Sequence, residues 1–128
     1  MGSRALSPII ADGEYLYRGI TNKQWDFVNN RITSAAYKDS LGVSVDRSGD
    51  RDEESCVSHL LQNKPFIAIG RLMAGFVRES GLLVKYDPTE ENEYHSEIRH
   101  SENRAELTTG QSRKMSRSAT VVYLQEDK

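Results

Sequence analysis

Three separated residues carry the types needed for chemistry on a phosphorylated sugar. Arg18 lies in Tyr15-Leu16-Tyr17-Arg18-Gly19, Ser34 in Ile32-Thr33-Ser34-Ala35, and Glu97 two residues after His95. A guanidinium presents a planar fork that matches phosphate oxygens. A carboxylate can stabilise the positive charge that develops on a ribosyl carbon. A second group surrounds a predicted hairpin: Tyr37, Lys38, Ser44 and Arg47, which with His95 are candidates to bind a small anionic ligand. Each set also has a plainer reading. Arg18 can close a strand beside solvent or pair with a local carboxylate, and hairpin charges are ordinarily solvated. A third set, His95, Arg99 and His100, is the one an RNA-acting domain would use.

Metal and nucleophile signatures are missing. Cys56-x-x-His59 offers two ligands, and His95 and His100 are five apart, whereas zinc takes three or four. His95-x-Glu97 lacks the Pro-Cys-x-x-Cys that a zinc deaminase requires. No metal site is therefore expected, and Cys56 reads as a core thiol. There is no Gly-x-Ser-x-Gly elbow and no phosphate-cradling glycine loop, which argues against hydrolase and kinase chemistry. Glu90, Glu91 and Glu93 form an acidic loop, solvated or docked on a basic partner.

The elements that must position these groups follow from apolar spacing. Residues 14–20 predict a strand. Thr21 and Gln24 have the spacing of a capping box before a short helix carrying Trp25 and Val28. Residues 32–37 and 43–45 predict a hairpin across the turn at Asp39-Ser40-Leu41-Gly42. Asp50 precedes a helix whose Cys56, Val57, Leu60 and Leu61 share one face, ended at Asn63-Lys64-Pro65. A strand at 66–69, a helix at 71–79 stopped by Gly81, and strands at 82–86, 94–99 and 121–124 complete the chain. Residues 101–110 are ambiguous, and 112–119 are weakly helical. Leu60, Leu61, Phe66, Ile67, Ile69, Met73, Phe76, Val77, Leu83 and Val84 are expected to form one core cluster. The fold class expected is α+β: a small mixed twisted sheet of five to seven short strands with two or three short helices, in one domain over residues 4–125.

The 128 residues suit one domain with its own core. Net charge is −2 and both halves are nearly balanced, so counterion release gives nucleic-acid binding little drive. One cysteine precludes an internal disulfide, no bilayer-length apolar run is present, and the first residues lack the charged start and apolar stretch of a signal peptide, so none is expected. These features favour a cytoplasmic protein with no membrane partner. Met1-Gly2-Ser3 resembles an expression scar.

Two resemblances add to this reading. Leu16-Tyr17-Arg18, Ser44-Val45-Asp46-Arg47, Asp87-Pro88 and His95-Ser96-Glu97-Ile98, in that order, resemble a family of small uncharacterised bacterial proteins. That implies a prokaryotic or phage origin and one compact domain, and names no reaction. Arginine, serine and glutamate on successive strands faintly resemble ADP-ribosyltransferase-like domains. There the arginine would hold NAD phosphates, the serine would brace the nicotinamide pocket, and the glutamate would stabilise the ribosyl cation. Ser34 lacks the following Thr-Ser of the usual motif. The function expected is a binding or interaction module with an accessory or regulatory role, without a cofactor, acting on an unknown protein or small anionic ligand, with a homodimer as one arrangement. The alternative is an NAD-using enzyme or toxin built on Arg18, Ser34 and Glu97.

Overall fold

The computed structural model describes residues 6–126; Met1-Gly2-Ser3 and the start of the lead-in lie outside them. The fold is α+β. Six strands form one sheet: β1 (Tyr15–Ile20), β4 (Val43–Arg47), β5 (Ala68–Met73), β6 (Leu83–Tyr86), β7 (His95–Arg99) and β8 (Thr120–Leu124), in the order β6-β7-β4-β1-β5-β8. Every pairing is antiparallel, where a mixture of directions was expected. A ribbon of β2 (Trp25–Asp26) and β3 (Arg31–Ile32) stands apart. The helices are α1 (Glu53–Asn63), α2 (Ala74–Glu79) and α3 (Thr109–Ser118).

Strand alternation divides the apolar residues between two faces of the sheet. Leu16, Ile20, Val43, Val45, Leu72 and Ile98 point into the larger core, which Met115 of α3 and Val77 of α2 help to close. On the opposite face α1 covers Tyr17 and Ile69 with Cys56, Val57, Leu60 and Leu61. The single cluster expected is therefore two, because a helix on each face makes a three-layer arrangement. Leu60, Leu61, Phe66, Ile67, Phe76 and Leu83 are half-buried and Met73 is exposed, whereas Ile69, Val77 and Val84 are buried.

Several local expectations change, each for a physical reason. The helix expected to carry Trp25 and Val28 shrinks to a 3₁₀ turn at Asn22–Gln24 with the Thr21–Gln24 capping box intact. Asn30 takes φ 57°, the left-handed region that asparagine tolerates, and folds the chain back as a ribbon. Beyond β3 a 3₁₀ turn at Ser34–Tyr37 replaces the first strand of the hairpin. Residues 71–73 extend a strand instead of opening a helix, because β5 pairs with all six residues of β1 and tertiary pairing outweighs local propensity. α1 is capped by Asp52 rather than Asp50, its side chain accepting from the Ser55 amide at 2.9 Å. α3 is a full helix, closed by a Thr108–Gln111 capping box and anchored where the Ser112 hydroxyl donates to the Tyr37 carbonyl at 2.9 Å.

Candidate ligand cleft where β1 and β4 part

β1 pairs with β4 at two positions only, Leu16 with Arg47 and Tyr17 with Asp46. Past that point the strands separate, and a cavity of about 390 Å³ opens, reached by side chains from both faces of the sheet. Arg18 spans the gap. Its Nε donates to the Ala36 carbonyl at 2.9 Å and its Nη1 to the Ser44 carbonyl at 2.8 Å. It thus serves a β4 carbonyl beyond the reach of the ladder. Its Nη2 makes no hydrogen bond, and the side chain forms no ion pair, among the described residues. Burial draws its pKa below the usual arginine range, offset in part by Tyr37 and Asp39.

The wall facing α1 carries Ser44, Asp46 and His95, while Lys64 stands at the end of that helix. Asp46 and His95 are cross-strand partners. Asp46 is 3% exposed. Its Oδ1 accepts from Asn92 at 2.8 Å, whereas its Oδ2 has no hydrogen-bond partner, with the His59 ring 3.4 Å away. His95 is fixed from behind. Its Nδ1 lies 2.8 Å from the Asp87 backbone carbonyl and 3.4 Å from Asp87 Oδ2. Its Nε2 lies 3.3 Å from Ser44 Oγ. Ser44 is exposed. The phenyl ring of Phe66 lies over Gly19, where any β-carbon would overlap it, and both residues line the cleft.

The candidate trio does not share a cavity. Arg18 belongs to the cleft. Ser34 lines a separate cavity of about 420 Å³ with Arg31, Arg113 and Arg117. Glu97 stands across from Ser44 in register, but its Oε1 accepts from Arg99 Nη1 at 3.3 Å, and it leans over Gly42, where a β-carbon would come within 3.2 Å of that oxygen. The anionic-ligand set is also divided. Tyr37 is wholly buried, with its hydroxyl unpartnered over Gly70. Arg47 is buried in an ion pair with Glu14 at 2.7 Å. Lys38 donates to Thr109 at 3.0 Å. Of the five, Ser44 and His95 line the cleft. The cause is the 3₁₀ turn at Ser34–Tyr37, which carries Tyr37 into the core and Lys38 toward α3. The ring of His100 meets Gln111 at 3.0 Å, away from His95.

Asp46, Lys64 and Asp87 escaped the sequence reading. Asp87-Pro88 reads only as a strand end, and no spacing links it to His95. Cys56 is buried, and burial pushes its thiol pKa up, which suits a packed thiol and not a thiolate nucleophile. Among the described residues no three His, Cys, Asp or Glu are placed to hold a metal ion, and no helix is long and apolar enough to cross a membrane. Comparison of the chain with protein-family models, curated proteins and solved structures finds no match.

Proposed function

We propose that the chain is a binding module for a small ligand carrying a phosphate or carboxylate, seated in the cleft between β1 and β4. One observation carries the reading: Arg18 is a half-buried cation that, among the described residues, has no carboxylate within ion-pair distance, Asp39 acting on it only from farther off, and it opens onto a cavity. A charge withdrawn from water is costly unless it is paired. Two carbonyls orient the guanidinium without neutralising it, and an anion on Nη2 would complete the pair. Lys64 adds a donor on the same cavity, and a volume of about 390 Å³ falls within the range of small-molecule sites.

The test is a thermal-shift screen followed by calorimetry, using inorganic phosphate, nucleotides, NAD and dicarboxylates. A ligand at about 100 times its Kd stabilises the folded chain by about 2.7 kcal/mol. Arg18→Lys keeps the charge and loses the fork, and is expected to weaken binding by about tenfold or more. Equal affinity in wild type and Arg18→Lys, or binding unaffected by Arg18→Ala, would remove the cleft as the site.

A further inference from the structure

We infer that the cleft is also catalytic: Ser44 is a nucleophile and His95 its general base, cleaving a carboxylic ester that carries the anionic group held at Arg18. This rests on the cleft's being the ligand site. The relay is directional. A backbone carbonyl can only accept, so the 2.8 Å contact with the Asp87 oxygen places the hydrogen of the neutral ring on Nδ1. Nε2 is then left with a free lone pair, 3.3 Å from Ser44 Oγ. Such contacts are often long before substrate is bound and tighten in the reacting complex. The Asp87 carboxylate, 3.4 Å from Nδ1, is placed to stabilise the imidazolium that forms. The three residues thus hold the roles of nucleophile, base and orienting acid.

Anchor and nucleophile belong to one assembly, because Arg18 donates to the carbonyl of Ser44 itself. Arg18 and Ser44 line one cavity from opposite faces of the sheet, where β1 and β4 have parted. In the first step Ser44 Oγ bonds to the acyl carbon and its proton passes to His95 Nε2. The bond between acyl carbon and leaving oxygen breaks, and that oxygen takes the proton from His95. Water then attacks the acyl-serine and gives a proton to His95, which returns it to Ser44 as the carboxylic acid departs. Water is the sole co-reactant. Ser44 and His95 lie 51 residues apart on two paired strands, so no elbow motif announces them.

The experiment has two arms. Intact-mass analysis after incubation with a fluorophosphonate probe is expected to show one adduct, mapped to Ser44, absent in Ser44→Ala and slowed at least ~100-fold in His95→Gln. Hydrolysis of p-nitrophenyl hemisuccinate, an anionic ester, is expected to exceed that of neutral p-nitrophenyl acetate, with the preference lost in Arg18→Lys. Ser44 is exposed, so Ser44→Ala is expected to melt with wild type and serves as the folded control. No adduct on Ser44, or equal labelling in His95→Gln, overturns the inference. If anions still bind the cleft in that event, the ligand reading survives alone. If no anion binds, both fail.

Discussion

Two arginines on the same face of the sheet, one strand apart, have opposite surroundings. Arg47 sits opposite Leu16 in register, and Arg18 is two residues along from Leu16. Arg47 is 2% exposed. Its Nε and Nη2 fork onto Glu14 at 2.9 and 2.7 Å, two further N–H groups reach the Ser7 and Ile9 carbonyls, and the Tyr86 ring lies 4.6 Å below. Glu14 in turn accepts from the Gly49 amide. Arg47 therefore ties the lead-in to the sheet, with four of its five N–H groups bonded and the side chain closed off from any ligand. Arg18 has two carbonyls and an open cavity instead. The same residue type is a pin where the chain supplies its counter-charge and a candidate receptor where it does not.

The comparison breaks most sharply at Arg47. Arg47→Ala strands the Glu14 carboxylate and is expected to cost about 3–5 kcal/mol in urea denaturation. A loss under about 1 kcal/mol would mean that Glu14 finds water and that the pin is ornamental. Arg18→Ala leaves no carboxylate behind and is expected to cost less, about 1–3 kcal/mol for two carbonyl hydrogen bonds to a charged donor. If the two variants were equally destabilised, Arg18 would be a second structural pin.

Comparable to the loss at Arg18 is that of Gly70→Ala, in the core that both arginines border. A β-carbon there would sit 2.7 Å from the Tyr37 hydroxyl and 2.9 Å from Ile32 Cδ1, an overpacking expected to cost about 1–3 kcal/mol. Gly19→Ala should perturb stability less, because the obstructing Phe66 ring is half-buried and can swing. Its effect is expected on anion affinity, since Phe66 lines the cleft. Unchanged binding in a folded Gly19→Ala would place the ligand elsewhere.

Acid provides the gentlest probe. Burial raises the Glu14 carboxyl, but the hydrogen bonds from Arg47 and from the Ala11 and Gly49 amides more than offset it, and the net pKa falls below 4.5. A carboxyl depressed in the folded state stabilises fully above its unfolded pKa, and the contribution is lost as pH falls through the folded value. Wild type should therefore lose stability below about pH 4.5 more steeply than Glu14→Gln. Parallel curves would remove Glu14 from the acid response.

Legibility in the sequence followed how local each signal was. The Thr21–Gln24 box, the amphipathic face of α1 and the alternation of β7 all lie within a few residues, and all three appear. The failures lay where distant pairing decided the outcome. Arg71, Leu72 and Met73 have the spacing of a helix start, yet β1 claims them as strand. α3 presents one large apolar residue, Met115, among serines and bases, so its periodicity is faint; burial of Ser112 and Ser116 against neighbours makes up the rest of its inner face.

The sequence by itself determined the α+β class, one sheet with short helices, and the chemical inventory: one thiol, three histidines, near-balanced charge. These depend on composition and on periods of two and 3.6 residues, which any stretch of chain displays without its partners. Tertiary structure alone decided the site. Whether Arg18 or Arg47 meets a carboxylate depends on Glu14 folding back beside β4 and on β1 and β4 parting after two pairs. Ser44, Asp87 and His95 come from β4, from the loop after β6 and from β7. Hydrogen bonds and Coulomb attraction act over a few ångströms of space, and separation along the chain carries no record of that distance until the sheet is assembled.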